Sequence, residues 1–189
     1  MQQDKNVLLK KSGVSTAKSI LAVLWHLKET GRDNLFSHKY IRLLCQNKNK
    51  ATYRSCISRL CAQNLIRKDY NRIIVLTNKG SGYALPAFIE VELYLHNLRR
   101  DNNKKWDGSW RIILFDIPEI KRRYRDYLRK VLKGIGFNEF QKSVWIYPYP
   151  VPSFLKQLLL EDNIKLHIRF ITTKFIDNDL DLRKKFNLF

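Results

Sequence analysis

The sequence is poor in the residues that staple or metallate a fold. Its cysteines, Cys45, Cys56 and Cys61, are an odd set with no C-x-x-C spacing. That argues against a disulfide framework and against a zinc site, and leaves small core residues in a reducing compartment. The histidines, His26, His38, His96 and His167, are scattered and share no ligand spacing. No apolar run approaches the roughly 20 residues of a spanning helix. The opening MQQDKNVLLKKSG lacks the apolar core of a secretion signal. No glycine-rich phosphate loop, no H-E-x-x-H and no nucleophile–histidine arrangement is present. The expectation is a soluble, cytoplasmic protein with no membrane partner and no cofactor.

Acidic residues are also scarce: 17 Asp and Glu stand against 36 Lys and Arg, for a net charge of +19. Such an excess points to a polyanionic partner, because each cation that pairs with a phosphate releases a counterion. Hydrophobic residues make up 44% of the 189, enough for an ordinary buried core. A polar stretch, RRDNNKKWDGS (Arg99–Ser109), has linker composition. The segments on its two sides differ in pattern, and the net charge is +13 before Trp106 and +6 from there on. The expected division is a domain over 1–100, a linker over 101–109 and a second domain over 110–189.

The first segment reads as helices and then a hairpin. Ile20, Leu21, Leu24 and Leu27 recur at helical period between Thr16 and Thr30. Ser37 is placed to cap a short helix carrying Tyr40, Ile41 and Leu44. After an NKNK turn, Tyr53, Cys56, Ile57 and Leu60 mark a third helix. Two short apolar runs, Leu65–Ile66 and Ile73–Leu76, flank a DYNR turn and predict a hairpin. A last helix is expected from about Pro86 to Arg99. That order is a winged helix-turn-helix, whose third helix enters the major groove of double-stranded DNA. The face opposite its apolar stripe carries Lys50, Thr52, Arg54, Ser55 and Arg59, types suited to base edges and phosphates. Arg72 stands at the hairpin tip, within reach of adjacent phosphates or the minor groove. From Lys39 to Lys79 there are ten basic residues and one acid, Asp69.

The second segment alternates. Trp110–Ile117 is a buried strand by its apolar run. Glu119–Ile135 is a helix with Tyr124, Leu128, Val131, Leu132 and Ile135 on one face. Arg122, Arg125, Arg129 and Lys133 form a basic stripe on another, a candidate set of phosphate contacts. Phe137–Tyr147 is strand, broken near Gln141–Ser143. Phe154–Leu160 is a helix and Leu166–Thr172 a last strand. This order suits a ferredoxin-like sandwich, so the expected class is α+β, a winged helix-turn-helix followed by a ferredoxin-like α/β sandwich. Asp177, Asp179 and Asp181 alternate as calcium-loop ligands do. The glycine and the closing glutamate of such a loop are replaced by Leu182 and Leu188, so these acids read as a surface tail.

The stretch WDGSWRIILFDIPEIKRRYRDYLRKVLKGIGFNEFQKSVWIYPY (Trp106–Tyr149) resembles the central domain of PaaX-type transcriptional repressors. That domain is in turn similar to the CRISPR-associated Cas-two endonuclease family. The features that carry the resemblance are the strand ending FDIPE, the basic helix, the GF turn and the QKSVW strand. A winged helix before it also suits the PaaX architecture. Longer PaaX-type repressors continue into a further domain, and Cas-two proteins lack the winged helix.

Asp116 admits two readings. Asp116 and Glu119 have the D-x-x-E spacing of a capping box, with Pro118 tolerated in the first turn. The Cas-two resemblance implies instead a ligand for Mg²⁺ or Mn²⁺, paired with its counterpart across a homodimer, and phosphodiester cleavage.

The expected function is a homodimeric, DNA-binding regulator of the PaaX type. The alternative is a Cas-two-like metal-dependent nuclease, or a subunit of a CRISPR adaptation complex that bridges integrase subunits. A third reading is RNA binding through the basic helix, with Trp145 and Tyr147 stacking on bases.

Overall fold

The computed structural model describes residues 15–29, 50–70, 73–98, 105–162 and 164–188. The expected helix at Tyr40–Leu44, Cys45, His38 and Arg72 lie outside them. The chain divides into two compact units, residues 1–98 and 99–189.

In the first unit, α1 (Thr16–Glu29) buries Ile20, Leu21, Leu24 and Leu27, and also Ala22 and Trp25. It runs antiparallel to a long helix, α3 (Asn78–Leu98). Lys18 pairs with Glu90 at 2.7 Å, the Trp25 and Phe88 rings lie 4.6 Å apart, and Lys28 reaches Ser81 at 3.2 Å. Between these helices in the chain come α2 (Lys50–Ala62) and an antiparallel pair, β1 (Ile66–Lys68) and β2 (Ile74–Leu76). α2 ends because Asn64 takes a left-handed conformation, φ 54°, and the Leu65 N–H turns back to the Leu60 carbonyl. The hairpin turn is closed by Asp69, whose carboxylate accepts the Ile73 N–H at 2.7 Å.

α3 begins at Asn78, well before the expected start at Pro86. Thr77 supplies the missing start signal: its hydroxyl accepts the Gly80 N–H at 2.9 Å, an N-cap bond. The TNKG stretch after the hairpin is therefore a helix start. Gly80 is required there by close approach, since a Cβ would lie 1.7 Å from the Leu65 carbonyl oxygen.

The second unit is strand–helix–strand–strand–helix–strand, with a short closing helix. β3 is Trp110–Phe115, α4 Arg122–Ile135, β4 Asn138–Gln141, β5 Val144–Tyr147, α5 Ser153–Leu159, β6 Ile168–Thr173 and α6 Leu180–Phe186. The sheet order is β4-β5-β3-β6, and every pairing is antiparallel. β3 is thus central, although it comes first in the unit. α4 buries Leu128, Val131, Leu132 and Ile135. It stops at Gly136, whose φ of 107° only glycine adopts readily.

The opposite sheet face holds a smaller core of Trp110, Ile146 and Leu182, flanked by Trp106, Ile112, Ile176 and Phe186. Two expectations change here. Trp106 donates its indole N–H to the Ser109 carbonyl at 3.0 Å and packs on Trp110, so the stretch read as linker ends before Trp106. Asp177 and Asp181 of the expected acidic surface tail are exposed, but Asp179 is drawn into the fold. Asp179 is 12% exposed and accepts bonds from Trp110 Nε1 at 3.0 Å and Arg183 at 2.8 Å. The Arg183 guanidinium, helped by Trp110, holds the Asp179 carboxyl below its usual range.

Candidate nucleic-acid interface and the Asp116 cleft

The α2 face opposite its buried side follows from helical period. Cys56, Ile57 and Leu60 are buried, Tyr53 is half-buried, and Thr52, Arg54, Ser55 and Arg59 are all exposed. Lys50 opens the helix. The face thus gathers Thr52, Arg54, Ser55 and Arg59. The hairpin adds Arg67 and Lys68, both exposed on β1, and Tyr70, fully exposed at the turn. Sequence reasoning passed over Tyr70 because a hairpin tip has no periodicity to mark it.

Asp116 emerges where β3 ends. Its own N–H donates to the His167 carbonyl at 2.9 Å, and the Phe115 N–H to the Ser143 carbonyl at 3.0 Å. The neighbouring strand ends thereby fix its backbone. Its carboxylate is exposed and has no hydrogen-bond or ion-pair partner among the described residues. Neither helix start nearby carries a side-chain cap: Pro118 stands before the short 3₁₀ turn at Glu119–Lys121, and Lys121 before α4. The capping-box expectation fails because that 3₁₀ turn comes between Asp116 and α4. Glu119 pairs instead with Arg125 at 2.7 Å.

The expected basic stripe on α4 splits. Arg122 stays at the surface, 3.5 Å from Asp126. Arg125 and Arg129 turn into a cleft of about 530 Å³ that they line with Asp116, Glu139, Lys142 and Ser143. Arg129 donates to the Lys142 carbonyl at 2.6 Å and lies 5.8 Å from the Phe115 ring centroid. A second, shallower hollow on the other side of Asp116 is lined by Leu114, Val144, Leu166, His167 and Arg169. Lys121 Nζ lies 3.4 Å from His167 Nε2. These neighbours, from β4–β5 and the β6 approach, are distant from Asp116 in sequence and have no spacing signal.

No group of three metal-ligating side chains occurs among the described residues. Two carboxylates, Asp116 and Glu139, bordered by Arg125, Arg129, Lys142 and Arg169, fall short of the ligand set a divalent cation needs within one chain. Trp145 and Tyr147 are buried, and Tyr147 stacks on Phe137 at 4.8 Å, so neither is presented to a base. This removes the base-stacking part of the RNA reading.

The central placement of the first strand, the FDIPE strand end and the basic helix after it now stand together. Residues 103–184 match the family model of the PaaX protein central Cas2-like domain. The matched residues cover the whole four-stranded sheet and most of α6. No curated protein and no solved structure matches the chain. No helix among the described residues is long and apolar enough to cross a membrane.

Proposed function

We propose that the chain is a DNA-binding transcriptional regulator of the PaaX type, with a winged helix-turn-helix in residues 1–98 and a ferredoxin-like, Cas2-like dimerisation domain after it. The observation that carries the reading is the α2 face: Thr52, Arg54, Ser55 and Arg59 exposed together, opposite a buried apolar side. A helix of that kind supplies base-edge and phosphate contacts from one surface. The β1–β2 hairpin, with Arg67, Lys68 and Tyr70, is the wing, and Arg72 belongs to it by sequence. A homodimer would present two such helices to a two-fold operator. The match of residues 103–184 to the PaaX central domain supports the same reading. The proposed compartment is the cytoplasm, where DNA is met.

The test uses purified chain and labelled duplex DNA carrying candidate operators, with Mg²⁺, with Mn²⁺ and with EDTA, and Asp116→Ala beside the wild type. Retarded, intact DNA in every lane, with steep loss of binding in salt, is the expected result. Cleavage that needs metal and disappears in a folded Asp116→Ala dimer would replace this reading by a nuclease or an adaptation-complex subunit acting with integrase partners.

A further inference from the structure

The cleft beside Asp116 is built for a different ligand from the α2 face. Its volume, about 530 Å³, lies in the range of small-molecule sites. The Nε atoms of Arg125 and Arg129 are buried and have no acceptor among the described residues. Those atoms are closed to solvent, so a ligand in the cleft meets the outer nitrogens of the two guanidiniums. The guanidiniums are fixed in advance. Arg125 is held by Glu119 at 2.7 Å, and Arg129 by the Lys142 carbonyl at 2.6 Å and the Phe115 ring. Arg129 Nη1 and the Lys142 ammonium make no hydrogen bond among the described residues, so further cationic donors remain for a ligand.

The lining also carries two exposed carboxylates, Asp116 and Glu139. They would repel the successive phosphates of a nucleic-acid backbone laid across the opening. A single anionic head carries fewer such repulsions, and a hydroxyl or amino group beside it gains an acceptor. We propose that this cleft binds the phosphate group of a small phosphomonoester. Arg125, Arg129 and Lys142 hold phosphate oxygens, and Asp116 accepts a hydrogen bond from a donor on the ligand. Arginine suits the role because its planar fork matches oxyanion geometry. The site stands on the second unit alone and does not depend on the DNA reading.

Inorganic phosphate is the probe, titrated into the full chain by calorimetry at pH 7.5 and constant ionic strength, with chloride as control. Saturable binding is expected for the wild type, weakened tenfold or more by Lys142→Ala and by Arg129→Lys. Asp116→Asn removes a repelling charge and should tighten phosphate binding several-fold. The Lys142 side chain makes no hydrogen bond or ion pair among the described residues, so Lys142→Ala should melt like the wild type in buffer without phosphate. Absence of saturable binding by the wild type overturns the proposal, as does an affinity unchanged in both Lys142→Ala and Asp116→Asn. In a parallel titration with duplex DNA, Lys142→Ala should leave affinity within twofold. An equal loss for DNA and phosphate would mean that the backbone of DNA occupies the cleft, and the small-ligand proposal would be wrong.

Discussion

Gly80 lies against the backbone of Leu65, and a Cβ added to it would fall 1.7 Å from the Leu65 carbonyl oxygen. That oxygen also accepts the Thr77 N–H at 3.1 Å, so the contact joins the start of α3 to the end of α2. The atom in the way is main chain and cannot swing aside. Gly80→Ala is expected to destabilise the first unit by about 3 kcal/mol or more, the upper end for overpacking. Gly82 has nothing within 4 Å of such a Cβ. Gly82→Ala should stabilise by roughly 0.5–1 kcal/mol through helix propensity. Urea melts of the two variants side by side would separate packing from propensity.

Asp107 and Arg111 make the second prediction. The buried Arg111 guanidinium donates to Asp107 and to the carbonyls of Ser109 and Pro148. Hydrogen bonding from Arg111 lowers the Asp107 carboxyl from 3.8 to about 2. A depressed carboxyl stabilises the fold above its unfolded value, and that stabilisation is lost as pH falls through the folded value. Asp107 is 45% exposed, so solvent screening holds the contribution to about 1 kcal/mol. Asp107→Asn should therefore melt below the wild type by a constant margin above about pH 5. The margin should shrink as pH falls towards about 2, as followed by circular dichroism melts across that window.

Asp116 has the opposite character. Because its carboxylate holds nothing in place among the described residues, Asp116→Ala should change stability by less than about 0.5 kcal/mol. Loss of a helix cap would cost about 1 kcal/mol. Chemical denaturation at pH 7 distinguishes the two.

For the α2 face, Arg54→Ala and Arg59→Ala should each weaken duplex binding. Where the side chain meets a phosphate, the loss is uniform across sequences and the salt slope falls by about 1. Where it meets a base edge, the loss is about 1–3 kcal/mol and confined to one operator position. Fluorescence anisotropy at several salt concentrations, with wild-type and scrambled operators, reads both quantities.

Local chemistry determined much of this protein from the sequence alone. Helical spacing placed Cys56, Ile57 and Leu60 inside and Thr52, Arg54, Ser55 and Arg59 outside, because a helix turns its faces at a fixed period. Apolar runs and turn residues located the strands of the second unit. The α3 start was hidden because Thr77 caps through one hydroxyl, and TNKG reads equally as a turn. What only the tertiary structure decided concerns groups far apart in the chain. The central position of β3 depends on β5 and β6 pairing to either side of it. Those pairings bring Lys142, Ser143, His167 and Arg169 around Asp116 and leave its carboxylate open. They also bring Asp179 under the Trp110 indole, which turns an acidic tail into a hydrogen-bonded support. Spacing along a chain fixes which way a side chain faces on its own element; which distant charge it meets is set by how the elements pair.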